Sequence, residues 1–466
     1  MSTASPTVAK TSFWTMDRVA DALAPHASIG LPRGPVTFGR VWTDTRTIEP
    51  GDLFVALIGE RFDAHAFLAD AVAKGATGVV VSRVESAKGL RVPVFQVDDT
   101  LVALGALGTF RRRAWNNPVV GVVGTNGKTS TKELIKAALG SVLSVHATAG
   151  NLNNLIGVPL TLLSIPDMAD VAVVEMGTNQ PGEVARLRAV VEPNITVVTS
   201  VAEEHLEGLG SLAGVLREEL SAADGVATTI VPASQPEVVE AARARSRRVV
   251  SAGLETGDVR PVTWGIDPDG RGRISIDSTE VHVPLRGVHN LRNAMLAIAV
   301  GRELGVAVSD AARGIEAMPS PPMRVSWEQH GAATLINDAY NSNPGSARAA
   351  IELLRHAGAG RQRVAVLGTM LELGPTAPQL HDDVARDALS GGVELVGAIG
   401  EFAAALGRIA PGDPRVITAD DVDALWQTLS SRLAPDAVIL LKGSRGMRLE
   451  RLVEPIARWA KQHAGL

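Results

Sequence analysis

The residues best suited to chemistry are Gly124-Thr125-Asn126-Gly127-Lys128-Thr129-Ser130, set between the apolar run Val119 to Val123 and the helical run Thr131 to Leu139. Two glycines let the backbone turn tightly and approach a ligand, a lysine supplies a point charge, and a threonine hydroxyl suits magnesium. A strand, a glycine loop and a helix opening on Lys-Thr present N–H groups and a helix N-terminus to a polyphosphate. The loop is shorter than the general nucleotide-binding pattern, because Val122 stands where that pattern places its first glycine. The expectation is an ATP phosphate loop, with Lys128 facing the β- and γ-phosphates and Thr129 on magnesium.

Other polar groups gather at the ends of apolar runs. Ala172-Val173-Val174-Glu175 ends in an acid, which at a sheet edge either directs magnesium or serves as a cap. His205, in Glu203-Glu204-His205-Leu206-Glu207-Gly208 after the run Asn194 to Val201, suits metal or phosphate as well as a plain polar loop. Asn290 and Asn293 open a helix, where amides cap or read an adenine edge. Asp44-Thr45-Arg46 and the loop Gly59-Glu60-Arg61-Phe62-Asp63-Ala64-His65 place an arginine beside a hydroxyl or carboxylate, either as an anion fork or as ordinary surface.

The elements that must position these groups alternate through most of the chain. Before about residue 113, Val36 to Thr43, Leu53 to Leu57, Gly78 to Val81 and Val92 to Val97 read as strands, with helices over Phe67 to Lys74 and Leu101 to Arg111. From Val119 to about Met318 strand and helix alternate, with shorter strands at Val262 to Ile266, Arg273 to Ile276 and Glu280 to Pro284. Beyond the linker signal Pro319-Ser320-Pro321-Pro322, strands at Thr334 to Asp338, Arg363 to Leu367, Glu394 to Ile399, Arg415 to Thr418 and Ala437 to Leu441 alternate with helices starting near Gly345, Gln379, Phe402, Val422 and Arg448. The fold class is α/β in three domains. Residues 1–116 form a small mixed domain, 117–319 a central, mostly parallel-sheet ATPase domain, and 320–466 a Rossmann-like domain that lacks the dinucleotide glycine fingerprint.

At 466 residues with 45% apolar and 20% charged residues, the chain is long enough for about three cores. A net charge of -5 without long like-charged blocks points away from nucleic acid and anionic membranes. There is no cysteine, which excludes disulfides and thiolate catalysis. The polar start Met1 to Ser12 and the interruption of the apolar helix by Arg302 and Glu303 leave neither a signal peptide nor a span, so a cytoplasmic enzyme is expected.

In this order, the motifs resemble the Mur ligases of bacterial peptidoglycan synthesis. The resemblance runs from Asp44-Thr45-Arg46 to Lys442-Gly443-Ser444-Arg445. Three stretches point to the branch that adds D-alanyl-D-alanine to a UDP-N-acetylmuramoyl-tripeptide: Asn151 to Pro159, Glu175-Met176-Gly177-Thr178-Asn179-Gln180-Pro181-Gly182-Glu183, and Met370-Leu371-Glu372-Leu373-Gly374. The resemblance implies a monomer that activates the substrate carboxylate with ATP and magnesium. It implies ATP contacts at Gly124, Thr125, Asn126, Gly127, Lys128, Thr129, Ser130, Asn290, Asn293, Arg324 and Asp338. Lys128, Glu175 and His205 become catalytic, with Thr129, Glu175, His205 and Glu219 toward metal. Substrate contacts fall at Thr45, Arg46, Gly59, Glu60, Arg61, Asp63 and His65 for the UDP-sugar, and at Asn341, Asn343 and Lys442 for the incoming amine. A sister ligase with another amino donor, or a nucleotide-binding pseudo-ligase, are the competing expectations. Two positions depart from the family: its carbamylated lysine falls at Glu219, expected to be an ordinary ionised carboxylate, and Thr369 replaces an aspartate.

Overall fold

The computed structural model describes residues 12–319 and 323–463, so Ser320 to Pro322 of the expected linker and the first residues of the polar start lie outside the described residues. The chain divides into two compact units, one of residues 1–119, 146–176 and 186–192, the other of residues 120–145, 177–185 and 193–466.

In the first unit a four-stranded parallel sheet runs Val41–Trp42, Leu53–Val55, Gly78–Val81, Val94–Gln96. Its inner strands are buried on both faces, as their unbroken Leu, Phe and Val content requires. One face packs on Met16–Leu23 and Thr100–Trp115 through Val19, Leu23, Phe95, Leu104 and Leu107; the other covers Leu68, Ala71 and Ala87. The expected strand Val36 to Thr43 is two pieces. Thr37–Phe38 pairs with Trp14–Thr15, and Gly39, bonded to the Gly51 carbonyl, turns the chain before Val41 joins the sheet. Asp99 starts Thr100–Trp115 by accepting the N–H groups of Leu101 and Val102, a cap worth about 1 kcal/mol. Asn116 ends the helix in the left-handed region. Val171–Glu175 lies beside Val145–Ala147 in this unit.

The second unit holds parallel strands in the order Arg248–Ala252, Thr228–Pro232, Ile195–Val198, Val119–Val123. An antiparallel trio, Thr263–Ile266, Arg271–Ile276 and Thr279–Arg286, leads into the buried helix Val288–Glu303. Its last part is a six-stranded sheet in the order Ser326–His330, Ala333–Asp338, Val438–Lys442, Arg363–Leu367, Leu395–Ile399, Val416–Ala419. All its pairs are parallel except the first. The polar edge strand Ser326–His330 is absent from the sequence expectation because Glu328, Gln329 and His330 give it no apolar run. The helix expected from Arg448 begins instead at Val453, because Arg448 itself is left-handed, at φ +54°. The C-terminal ends of these parallel strands carry Asp338 and Lys442 side by side, where α/β sheets meet their ligands.

Candidate active site

The phosphate loop connects Val119–Val123 to the helix Lys128–Gly140, whose N-terminus carries no side-chain cap and faces the loop, the arrangement that suits an anion. Gly124 sits at φ +121°, and a Cβ there would lie 2.4 Å from Thr199 Oγ1. Gly127, at φ +84°, would push a Cβ to 2.9 Å from the Asn293 amide. Both positions therefore demand glycine by torsion and by space. The loop is held from behind by the end of Ile195–Val198. The N–H of Thr125 bonds the Ser200 carbonyl at 2.8 Å, that of Asn126 bonds Ser200 Oγ at 3.0 Å, and Thr199 Oγ1 donates to the Asn126 carbonyl at 2.6 Å. Lys128 Nζ folds back to the carbonyls of Gly124 at 2.5 Å and Thr125 at 3.1 Å. Ser130 is buried in the first turn of the helix, and Thr129 beside it is half-buried.

Glu219, Glu218, Glu372 and His205 lie in the same unit as this loop. Glu219, on the helix Leu212–Leu220, accepts the Gly124 N–H at 2.8 Å and is buried. Burial pushes its carboxyl up to about 7, against the pull of Lys128 and the Gly124 N–H. This corrects the expectation of an ordinary ionised glutamate: the side chain braces the phosphate loop, and its burial favours the protonated form. Glu218 next to it caps the N–H groups of Gly182 and Val184, each at 2.8 Å. His205, at φ +53°, turns Nδ1 onto the Glu372 carboxylate. The His381 ring, buried against Phe402, holds that segment by accepting the Met370 N–H at 2.9 Å. Thr369 Oγ1 accepts the Glu401 N–H at 3.0 Å, at the start of the helix Glu401–Ile409.

The strand ends of the last sheet reach this loop directly. Lys442 pairs with Asp338 at 2.8 Å and donates to the Asn341 carbonyl at 2.6 Å, while Arg324 lies over the Tyr340 ring. Asn341 and Asn343 were expected at the incoming amine, yet the structure gives their side chains other partners. Asn341 Nδ2 donates to Glu204 Oε1 at 3.0 Å. Asn343 caps Pro344–Ala357 and exchanges two hydrogen bonds with Asn126, Nδ2 to Oδ1 at 2.8 Å and the reverse at 3.2 Å. Asn290 and Asn293 are buried in series, Asn290 on the Arg286 carbonyl at 2.8 Å and Asn293 on Asn290 Oδ1 at 3.2 Å, so Asn293 packs the phosphate loop from below.

In the first unit, Glu175 is buried with its Oε1 accepting from Asn153 Nδ2 at 2.9 Å. Arg46 remains 85% exposed, its guanidinium forked onto Asp44, whose carboxyl it lowers to about 2. The Thr45 carbonyl accepts from Lys74. Glu60 and Arg61 lie exposed in a turn closed by the Gly59 N–H on the Phe62 carbonyl at 2.8 Å. His65, expected at the UDP-sugar, is enclosed by its own neighbours. It is buried, with Nδ1 on Asp63 at 2.7 Å and Nε2 accepting the Ser82 N–H at 3.0 Å, so both ring nitrogens are spent on holding the loop.

Among the described residues no group of three or more His, Asp or Glu is gathered tightly enough to cage a metal ion. Magnesium beside a nucleotide needs less, one or two carboxylates with phosphates and water completing the shell. The residues fit that need at one atom. Glu204 Oε2, buried and without a hydrogen-bond partner among the described residues, faces Lys128 Nζ at 3.9 Å and His205 Nε2 at 4.0 Å. Glu204 and Glu372 are the residues that sequence reasoning missed. Glu204 adjoins His205 and could have been raised with it; nothing local marks Glu372 as the partner of a histidine 167 residues away.

Residues 122–301 match the Mur ligase middle domain and residues 323–445 the Mur ligase, glutamate ligase domain. The UDP-N-acetylmuramoyl-tripeptide--D-alanyl-D-alanine ligase of Bacillus subtilis is 33% identical over 426 residues, covering 89% of this chain and 92% of that protein. Among solved structures, MurF from Acinetobacter baumannii superposes with a TM-score of 0.86 at 30% identity, over 96% of this chain and 99% of that one. MurF ligase from Thermotoga maritima in complex with ADP gives 0.81 at 25% identity, over 91% and 98%. With both domain families matched in order and a relative one-third identical over 89% of this chain's length, the chain belongs to the Mur ligase family.

Proposed function

We propose that this chain is the ATP-dependent ligase that joins D-alanyl-D-alanine to UDP-N-acetylmuramoyl-tripeptide, releasing ADP and phosphate, in peptidoglycan precursor synthesis. The observation that carries the reading is the joint between the phosphate loop and the last sheet. Asn126 bonds Asn343, and Glu204 bonds Asn341, next to the Asp338–Lys442 pair. A nucleotide seated on the loop is thereby adjacent to strand ends suited to present a second substrate.

The chemistry is positioning and charge neutralisation. The terminal carboxylate oxygen of the tripeptide bonds the γ-phosphorus as the bond to the β–γ bridging oxygen breaks, giving an acyl phosphate and ADP. The amine nitrogen of the dipeptide then bonds the acyl carbon, the acyl C–O bond breaks, phosphate departs, and the amine gives up a proton. Lys128 and the open helix N-terminus bind and orient the β- and γ-phosphates. Magnesium, when bound with the nucleotide, would supply positive charge to the phosphate oxygens, with Thr129 and His205 of the second unit as residues to hold it; Glu219, one oxygen of which accepts the Gly124 N–H, and Glu175 of the first unit are the further carboxylates the family resemblance assigns to metal. Thr45, Arg46 and the Gly59 to His65 loop hold the UDP-sugar, with His65 acting from inside the loop. Asn290, Asn293, Arg324 and Asp338 serve the nucleotide, and Lys442 the amine side. The three functional domains are residues 1–116, 117–319 and 320–466, working as a monomer in the cytoplasm. No helix among the described residues is long and apolar enough to cross a membrane.

Phosphate release measured with a panel of amines and with both the diaminopimelate and the lysine tripeptide tests the reading. Release that requires a UDP-muramoyl-tripeptide and D-alanyl-D-alanine together is the expected result. Release with a different amine would make this a sister ligase, and ADP binding without turnover on any pair would make it a pseudo-ligase.

A further inference from the structure

Glu204 lies just past the strand Ile195–Val198, beside His205, and only 8% of its surface is exposed. Its two carboxylate oxygens are treated differently. Oε1 is fixed by Asn341 Nδ2 at 3.0 Å. Oε2 is buried and receives no hydrogen bond among the described residues. A buried carboxylate oxygen without a donor is unfavourable, and native folds keep one where something else completes it.

Two cationic or polar groups approach it and neither does so. Lys128 Nζ stands at 3.9 Å and already donates to the carbonyls of Gly124 and Thr125. His205 Nε2 stands at 4.0 Å, its other nitrogen committed to Glu372. Two donors on one octahedral magnesium, each about 2.1 Å from it, are separated by about 3 Å when adjacent and about 4.2 Å when opposite. The 4.0 Å between Glu204 Oε2 and His205 Nε2 is close to the opposite-position distance, so the pair needs only a small shift to flank one cation. A nucleotide also changes the account for Glu204. Once Lys128 serves the phosphates, the nearest positive charge is shared with further anions, and a divalent cation is what restores balance.

We propose that Glu204 is a carboxylate ligand of the divalent cation that accompanies the nucleotide, and that Asn341 is the positioning residue that aims it. The inference rests on the ligase reading, since it takes the nucleotide to sit on the phosphate loop. It makes Asn341 act through Glu204 in the metal's outer shell rather than on the amine. It also supplies a full-length carboxylate beside His205, where Glu219 is spent on the Gly124 N–H.

The test is calorimetric binding of ADP to the full-length protein, with saturating Mn2+ and again with EDTA, for wild type, Glu204→Gln, Glu204→Asp, Asn341→Ala and Glu203→Gln. Glu204→Gln should weaken Mn2+-ADP about tenfold or more while changing metal-free ADP less than about twofold. Asn341→Ala should follow it in the same direction, and Glu204→Asp, which keeps the charge, should recover part of the loss. Glu203→Gln removes an equal charge one residue away and should change neither affinity. If Glu204 serves only as a counter-ion to Lys128, Glu204→Gln will instead tighten metal-free ADP and leave the metal dependence alone, and the proposal is overturned. Equal weakening with and without metal also overturns it. Thermal melting shows which variants are folded, and Glu204→Asp carries the test if Glu204→Gln is not. A wild-type protein that binds neither form of ADP would remove the ligase reading itself, and this inference with it.

Discussion

The phosphate loop and the two N-terminal loops carry similarly suggestive residues but are built in opposite ways. The phosphate loop is backed by a different stretch of chain: Thr199 and Ser200 hold its backbone, Glu219 its first N–H, Asn293 its underside. Its functional groups are backbone N–H groups and a lysine whose contacts are two carbonyls it can exchange for phosphates. The N-terminal loops satisfy themselves. Arg46 folds onto Asp44 two residues away, and His65 closes onto Asp63 and Ser82. The first arrangement is preorganised for a ligand, whereas in the second a ligand must compete with an existing ion pair.

That contrast breaks most visibly at Lys128. Lys128→Ala should lower turnover about a hundredfold or more, about 3 kcal/mol in the transition state, with an unchanged melting curve. Near-normal ligation by a folded variant would put the phosphate loop on the same footing as the N-terminal loops. His65→Ala should show the reverse, a loss of about 2–3 kcal/mol of stability from the stranded Ser82 N–H and Asp63 carboxylate, read as a lower urea midpoint at constant slope. The surviving folded fraction should keep its nucleotide affinity, because the ring's partners, Asp63 and Ser82, both lie in the first unit, away from the phosphate loop's own supports.

Glu219 gives a smaller and pH-dependent effect. Its folded value of about 7 lies above the ordinary 4.5, so the folded metal-free protein holds a proton that the unfolded chain has released. Its contribution is complete below about 4.5, declines as pH rises from there to about 7, and is flat beyond. Glu219→Gln should remove this slope and make the metal-free protein more stable than wild type at pH 8, as followed by urea denaturation across that range. Parallel curves for the two forms would mean that burial is not what governs this carboxyl. Arg46→Ala should have the least effect on the fold, leaving the melting temperature unchanged. It should raise the KM for the muramoyl substrate about tenfold, the size of one charge-assisted hydrogen bond, without altering that for ATP. Equal changes in both would erase the distinction between the loops.

The parts legible in the sequence are those set by local pattern. Val119 to Val123, Gly124 to Lys128 and the strands of the last sheet follow from apolar runs, positive-φ glycines and helix openings. What the sequence hides is pairing at a distance. Asn126 and Asn343 are 217 residues apart, and an asparagine spelled beside a glycine or a proline reads as turn or cap, which each also is. Glu219 is expected from the sequence as an ionised carboxylate toward metal, and only the helix Leu212–Leu220 shows that it and Glu218 both point inward, one to the phosphate loop and one to Gly182. At Arg448 and at Gly39, single backbone conformations moved element boundaries that apolar periodicity could not place.

The reciprocal Asn126–Asn343 pair also bears on how this protein ages. Asn126 precedes Gly127, and a glycine nitrogen is the least hindered to attack the preceding side-chain amide, the route by which asparagine becomes aspartate. Holding the amide by both its nitrogen and its oxygen fixes it away from that attack. Release of Asn343 exposes the loop to slow chemical damage. The damaged loop would carry a negative charge where the phosphates sit and an acceptor facing the Asn343 oxygen, so nucleotide binding and the Asn126–Asn343 pair would be weakened together.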